Sequence, residues 1–365
     1  MLTHLVPLRS IDADDEDCRD LMPIAAAIGD ARVVGLGEAR HGDGHAYKAK
    51  VRLTKFLHAV MGFDVLAWES GLFACRDMDA ALRAAGPPAP PECGIYSMWR
   101  LAEEVQPLFD LARTSAENGR RLEMAGFDCR LSDGRSDRLV AALFGFVDAV
   151  DPGLVDPAVR ARVGDLIERV DRFEPPYDPT PDERMVARAA VQTLVEALLA
   201  SRRRFVETHG AHEPAFWHEV LQGLLDLESC RGLDPMVDGR PVPVGRSIAS
   251  TNVRDASIAR LARWLVDAYY TIGCTAHSGM RGTWFETPEP IEPALPGSVE
   301  AILHDAGVDH GFIDLRGLPP GHPLRAPVRA RPLGHGQQVA VWPRHLDALC
   351  FVDRGFPATR ARQPA

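Results

Sequence analysis

Two short apolar runs, residues 31–37 and 63–69, flank a stretch, 44–61, in which Leu53, Phe56, Leu57 and Val60 fall at helical spacing. This strand–helix–strand order is the strongest constraint in the chain. Two strands joined by one helix length are expected to run parallel, with a right-handed crossover. Each run stops at an ionisable group. The first passes Gly35 and Gly37 and presents Glu38 and His41, with Gly42 closing the turn; the second ends at Glu69. In open α/β sheets ligands bind in the crevice beyond the carboxyl ends of the strands. These ends are therefore the first place to look for chemistry.

The remaining pattern extends the same architecture. Residues 11–28 read as an N-terminal helix, capped by Asp12 or Asp14 and stopped by Gly29. A short helix is expected over 75–85, a Pro-rich loop over 86–91, and a helix over 97–119 that Pro107 should kink or split. Residues 122–128 form a third strand, again ending in a carboxylate, Asp128. From Asp137 to about Cys230 only helical periodicity is present, in four segments near 136–150, 156–172, 181–208 and 213–230. Trp217 and Trp264 sit among apolar neighbours at helical spacing and read as core. A helix over 252–266 precedes strands at 268–276, 311–315, 338–342 and 348–352. The expected fold is α/β, a mostly parallel central sheet flanked by helices with a helical insertion capping the cleft. Residues 1–135 and 251–365 would form the two parts of the core, and 136–250 the insertion.

Composition excludes several function classes. Apolar residues make up 46% of the 365, enough for a substantial core. The formal net charge of −10 argues against nucleic acid as a partner. The seven cysteines are widely spaced with no C-x-x-C, which points to buried thiols in a reducing compartment rather than a zinc ribbon or a disulfide scaffold. No apolar run reaches membrane-spanning length and the start has no basic segment followed by an apolar core, so a cytoplasmic protein without a membrane partner is expected. There is no Gly-x-Ser-x-Gly elbow, no Walker A loop and no well-placed Gly-x-Gly-x-x-Gly.

The candidate catalytic set is His41, Glu38, Glu69 and His277. An imidazole of near-neutral pKa is a natural general base, and a neighbouring carboxylate can fix its tautomer and raise its basicity. Glu69 could be that partner or could position a water. His277 follows an apolar strand, as Glu38 and Glu69 do. Asp128 could hold a site residue or cap a helix. Arg254 could clamp a substrate anion or form an internal salt bridge. Asp255, its neighbour, suits a helix N-terminus. Lys50, at helical spacing from the turn, could point back and steady an oxyanion, or could lie on a solvated face. Glu38, His41, Glu69 and a distant histidine would also make an N/O metal site, so a divalent metal is an alternative to a metal-free cleft.

The run Gly35-Leu36-Gly37-Glu38-Ala39-Arg40-His41-Gly42, followed by Gly62-Phe63-Asp64-Val65-Leu66-Ala67-Trp68-Glu69, resembles the erythromycin esterase family, which includes succinoglycan biosynthesis proteins. The resemblance continues through Gly126-Phe127-Asp128, Arg254-Asp255, Ala276-His277-Ser278, Phe312-Ile313-Asp314-Leu315-Arg316 and Phe356-Pro357-Ala358-Thr359. It implies an α/β fold with a helical insertion and a histidine, matching His41, that activates water against a lactone carbonyl. The residues matching Glu38, Glu69 and His277 would line the same cleft. Metal participation is not uniform in the family, and no cofactor is assigned here. Three positions depart from the family pattern. His45 stands where a glutamate is frequent, Lys50 stands for an arginine, and Met280 stands for a second histidine. Methionine neither shuttles protons nor binds hard metals, so Met280 implies a more apolar pocket. Lys50, His45, Met280, Arg254 and Asp128 are taken as substrate-binding positions. The implied partner is a small molecule, such as a macrolide or another natural product. The expected activity is ester or lactone hydrolysis. The alternative is a tailoring enzyme of secondary metabolism using the same base for cyclisation, elimination or isomerisation.

Overall fold

The computed structural model describes residues 4–84, 94–115, 117, 119–171, 177–233, 236–237, 240–241, 248–265 and 269–361. The chain opens with β1 (Leu5–Pro7), α1 (Met22–Ile28), β2 (Val33–Leu36) and α2 (Gly44–Phe56), the last extended by a π turn over Leu57–Met61. Gly62, at φ +92°, takes the left-handed conformation that ends this turn. The expected helix over 11–28 is confined to its last part. Asp12, Asp15 and Asp17 accept instead from backbone N–H groups two residues on, as in Asp12 Oδ1 with Asp14 N at 3.3 Å. Arg52 of α2 gathers the segment through Asp15 at 3.2 Å and Asp20 at 2.7 Å.

There follow β3 (Val65–Gly71), α3 (Leu72–Ala84), α4 (Ser97–Arg100), α5 (Gln106–Thr114) and β4 (Glu123–Asp128). Pro107 does split its segment. It lies in the first turn of α5, where a missing N–H costs nothing. The 86–91 loop and Cys93 lie outside the described residues. The middle is helical: α6 (Ser136–Asp148), α7 (Pro157–Asp171), α8 (Pro181–Ala200), α9 (Arg202–His209) and α10 (His212–Leu233). The expected 181–208 helix breaks at Ser201. Thr180 and Glu183 form a reciprocal capping box at the start of α8. The chain closes with β5 (Met236–Val237), β6 (Arg240–Pro241), α11 (Ile248–Leu265), β7 (Tyr269–Arg281), β8 (Glu289–Ile291), α12 (Val299–Asp305), β9 (His310–Asp314), β10 (Val328–Ala330), β11 (Gln338–Ala340) and β12 (Ala348–Gly355). Because α11 starts at Ile248, Asp255 lies inside the helix and not at its N-terminus. The side chain of Trp264 is outside the described residues.

The central sheet has the order β1-β9-β12-β7-β2, with β8 paired to the end of β7. It is mixed rather than mostly parallel. β2 and β12 run parallel to β7, in register at Leu36↔Ile272 and Cys350↔Cys274. β9 is antiparallel to both β12 and β1, and β8 is antiparallel to β7. A parallel return requires a long crossover. Between β9 and β12 the chain makes two 3₁₀ turns and the β10–β11 hairpin and no α-helix, so β12 comes back antiparallel. The expected β2–β3 pairing is also replaced. β3 pairs with β4 in a separate parallel ladder, where Gly126 lies so close to Ser70 that a Cβ would sit 2.4 Å from its carbonyl oxygen.

Side-chain alternation divides the sheet into two faces. On one, Tyr270, Ile272, Cys274, Cys350 and Val352 pack against Ile24 and Ile28 of α1 and Leu53 and Phe56 of α2. On the other, Ile313, Leu349 and Phe351 pack with Val299 and Leu303 of α12 and with Trp342. The outer side of α2, through Tyr47 and Val51, meets Met78, Phe109 and Met124. The helices α6 to α10 share an apolar core with Leu72 and Phe73 of α3 and Leu261 of α11; Trp217 is in it, as expected. No helix among the described residues is long and apolar enough to cross a membrane. Cys18, Cys75, Cys129, Cys230, Cys274 and Cys350 are free thiols.

Phe205 is fully buried in the helical core and stacks on Phe146 at 4.6 Å. Phe205→Ala should lower the unfolding free energy by about 3–5 kcal/mol in urea titrations; a loss under about 1 kcal/mol would contradict this packing.

Candidate active site

The loop between β2 and α2 is pressed against three other parts of the chain. Gly37 N donates to Ile272 O at 2.7 Å, continuing the β2–β7 register one residue beyond the strand. Gly42 has φ +89°, and a Cβ there would lie 2.3 Å from Thr283 N. Any larger residue would have to displace backbone. Asp43 accepts from Arg40 N at 3.2 Å and pairs with His335 Nε2 at 3.0 Å, and Gly42 N donates to Tyr47 Oη at 2.8 Å. The loop is thus held from both sides before its own side chains are placed.

On this frame Glu38 and His41 meet. His41 Nδ1 lies 2.6 Å from Glu38 Oε1, and the Lys50 ammonium pairs with the other oxygen, Oε2. A carboxylate only accepts, so Nδ1 carries the hydrogen and Nε2 is left with its lone pair. Glu38 is enclosed and Lys50 nearly so, whereas the His41 side chain keeps 45% of its surface exposed. Trp99 meets the imidazole edge-on, with centroids 5.2 Å apart. Burial on its own would raise the Glu38 pKa. The charge of Lys50 and the hydrogen bond from His41 outweigh it and hold the carboxyl at about 2. The hydrogen bond to Glu38 lifts His41 above its ordinary value, against burial and with help from the charge of Glu69.

A second network borders the first. Arg254 of α11 reaches Asp128 through Nη2 at 2.7 Å and Nε at 3.2 Å, and Glu69 through Nη2 at 2.7 Å. Tyr96 donates to Asp128 at 3.0 Å. Asp128 is sealed from solvent, while Glu69 and Arg254 are partly open. Burial alone would raise Asp128; the hydrogen bonds and charge of Arg254 bring it below the usual carboxylate range. Burial and Asp128 push the Tyr96 hydroxyl well above its ordinary value, so it remains a donor. Tyr96 packs on Trp99 at 5.8 Å, which joins the two networks through aromatic rings. A cavity of about 600 Å³ is lined in part by Ser70, Gly71, Tyr96 and Arg130; it touches the Asp128 network and includes neither Glu38 nor His41.

The structure therefore brings together Glu38, His41, Lys50, Glu69, Asp128 and Arg254. It does not bring His277 to them. Thr275 bonds Glu300 of α12 at 2.7 Å, and His277, two residues on, stacks on His304 of α12 at 3.9 Å. By alternation His277 points to the sheet face opposite α2, the helix that carries Lys50. The expected substrate positions are spread over the fold. His45 is buried beside Phe356, with centroids 6.1 Å apart, and burial depresses its pKa. Met280 is exposed on the β7–β8 ladder opposite Pro290. Asp128 is too enclosed to touch a ligand and acts on Arg254. Arg254 forms the internal salt bridge through Nε and Nη2. Lys50 does point back toward the cleft, but its ammonium is engaged by Glu38.

Sequence reasoning missed Tyr96, Trp99 and Tyr47. The signal was the aromatic pair in Gly94-Ile95-Tyr96-Ser97-Met98-Trp99, dense for a chain with 7% aromatic residues. For a metal, the cleft carboxylates are already matched by protein cations, Glu38 by Lys50 and Asp128 with Glu69 by Arg254.

A carboxylate-backed imidazole thus stands beyond the end of a parallel strand in a mixed α/β fold. The profile of the erythromycin esterase family matches residues 58–268 and 259–355, and the chain belongs to that family. The match starts after Glu38 and His41 and includes Glu69, Asp128, Arg254 and His277. A curated relative, "Putative hydrolase YbfO" of Bacillus subtilis (strain 168), is 34% identical over 149 residues, 41% of this chain. The chain spans only 32% of that relative's length. Among solved structures, a Bacillus cereus protein superposes with a TM-score of 0.73 at 17% identity, over 99% of this chain and 97% of that one. A succinoglycan biosynthesis protein gives 0.69 at 17% identity, over 98% and 96%. A histidine-to-asparagine mutant of erythromycin esterase EreC in its open conformation gives 0.69 at 13%, over 95% and 97%. At these identities the likeness establishes the fold.

Two measurements test the site. His41 should titrate above 6.5 by NMR, and Glu38→Gln should bring it down toward that value. Because the folded pKa is raised, the stability this pair contributes is complete below about pH 6.5 and fades as pH rises through the raised value. Asp128→Asn should cost about 3 kcal/mol in denaturant titrations, since it leaves Arg254 without its main counter-charge. The Asp128 contribution has the opposite sign, present above about pH 4 and lost on acidification.

Proposed function

We propose that the chain is a hydrolase of ester or lactone bonds in a small molecule, with His41 as the general base. The observation that carries this is the 2.6 Å contact between Glu38 and His41 Nδ1, with the rest of the imidazole open to solvent. Glu38 orients the ring and stabilises the imidazolium, and Lys50 keeps Glu38 ionised. Water gives a proton to His41 Nε2 as its oxygen adds to the substrate carbonyl carbon. The tetrahedral intermediate then collapses, the alkoxide leaves, and it takes the proton back from His41. Arg254 spends Nε and Nη2 on Asp128 and Glu69, and we assign its Nη1 to the developing oxyanion. Glu69, partly exposed beside His41, holds the attacking water. Tyr96 and Asp128 are positioning residues that fix Arg254.

Family membership and the hydrolase name of the Bacillus subtilis relative support hydrolysis. The name of the erythromycin esterase supports a lactone substrate such as a macrolide. The ion-paired cleft supports a mechanism that needs no cofactor, and the free thiols support a cytoplasmic setting.

His41→Ala should lower kcat/KM by about 10²–10⁴ on an ester or lactone that the wild type turns over. Reaction in ¹⁸O-water should place one label in the acid product. An unlabelled product would mean that the same base drives cyclisation, elimination or isomerisation instead, and unchanged turnover in His41→Ala would remove His41 from the mechanism.

A further inference from the structure

The cleft does not use His277, and the position of this residue has a chemistry of its own. It lies on β7, beside His304 at the end of α12 and Asp353 on β12. The two imidazoles are parallel within 3° and 3.9 Å apart. Both present Nδ1 to the same carboxylate oxygen: His304 at 2.7 Å from Asp353 Oδ1, and His277 at 3.8 Å. The latter is too long for a hydrogen bond. His277 is 8% exposed, and its Nδ1 is buried without a partner. A buried imidazole nitrogen aimed at a carboxylate it does not reach has lost its hydration and gained nothing in return.

We infer that His277, His304 and Asp353 form a binding site for a divalent transition-metal ion, zinc foremost, on the sheet face opposite α2. One ligand atom from each of the three residues falls within a 4.8 Å cluster. A tetrahedral zinc ion at its usual bond lengths spaces its ligands about 3.3 Å apart, inside the range these atoms already span. Two imidazoles and one carboxylate suit zinc and disfavour magnesium or calcium, which prefer oxygen alone. The ion would replace the hydrogen that His304 Nδ1 shares with Asp353 and draw His277 Nδ1 in, satisfying the orphan atom. His304 is half-exposed, so its ring can swing out of the stack to aim its lone pair, and a water would take the fourth position. Charges near His277 are mixed, with Asp305 favouring a cation and Arg331 opposing one. Arg331 is held by the backbone carbonyls of Ala276, His277 and Glu292, so it braces the strand at the site. The ion would clamp α12 to β7 and β12. It is independent of the catalytic reading, because none of its ligands belongs to the His41 cluster.

The test uses the whole chain, stripped with a chelator and titrated with Zn²⁺ by calorimetry and thermal unfolding. Expected are one saturable site per chain, a higher unfolding midpoint with Zn²⁺, and at least tenfold weaker binding in both His304→Ala and Asp353→Asn. His41→Ala should bind Zn²⁺ as the wild type does. Both ligand substitutions are at partly exposed side chains, and circular dichroism of the stripped variants checks that they fold. Absence of a saturable site, wild-type affinity in either ligand variant, or loss of the site in His41→Ala would each overturn the inference.

Discussion

The Lys50–Glu38–His41 chain of charges is the interaction on which the site depends. Enclosing a carboxylate at a sheet's end is expensive unless its charge is matched and its lone pairs are filled. Lys50 supplies the charge from α2 and His41 fills the second oxygen from the loop. That single requirement ties the first strand, its loop and the following helix together. It also explains why the loop is built so rigidly, with Gly42 forced against Thr283 and Asp43 held by His335 from the far end of the chain. An imidazole whose partner could wander would gain little basicity from it.

The second network solves a similar problem with different parts. Asp128 is sealed inside and Arg254 is its counter-ion, yet Arg254 also reaches outward to Glu69 at the cleft. One guanidinium thereby couples a buried carboxylate to a partly exposed one. The planar fork makes this possible, since Nε and Nη2 can serve two carboxylates at once. Trp99 and Tyr96 fill the space between the networks with apolar surface, which lowers the local dielectric and strengthens every charge interaction there.

Legibility followed physical range. Glu38, His41, Glu69, Asp128 and Arg254 could be found because each ends or faces a recognisable element, and strand ends are where α/β proteins expose chemistry. His277 was expected just past a strand end, but β7 runs on to Arg281 and places it inside the strand. Its place depends on which face of β7 it takes, and that parity follows from the register with β2 and β12, which no local pattern specifies. His45 lies on the same helix as Lys50, and only the packing of Phe356 shows that it is core. The helix expected over 11–28 failed for a local reason, aspartates that compete with the backbone and are collected by Arg52.

The sequence by itself determined the opening strand–helix–strand order, the run of helices in the middle, the glycine-bounded turn after the first strand, and the placement of a carboxylate and an imidazole three residues apart. Those features depend on neighbours along the chain, where propensity and spacing act directly. Tertiary structure alone decided that the sheet is mixed, that β3 leaves β2 for β4, and that His277 joins His304 and Asp353 on the opposite face. These outcomes depend on contacts between residues far apart in sequence, whose energies arise only once the strands have chosen their partners and each side chain has been assigned a face.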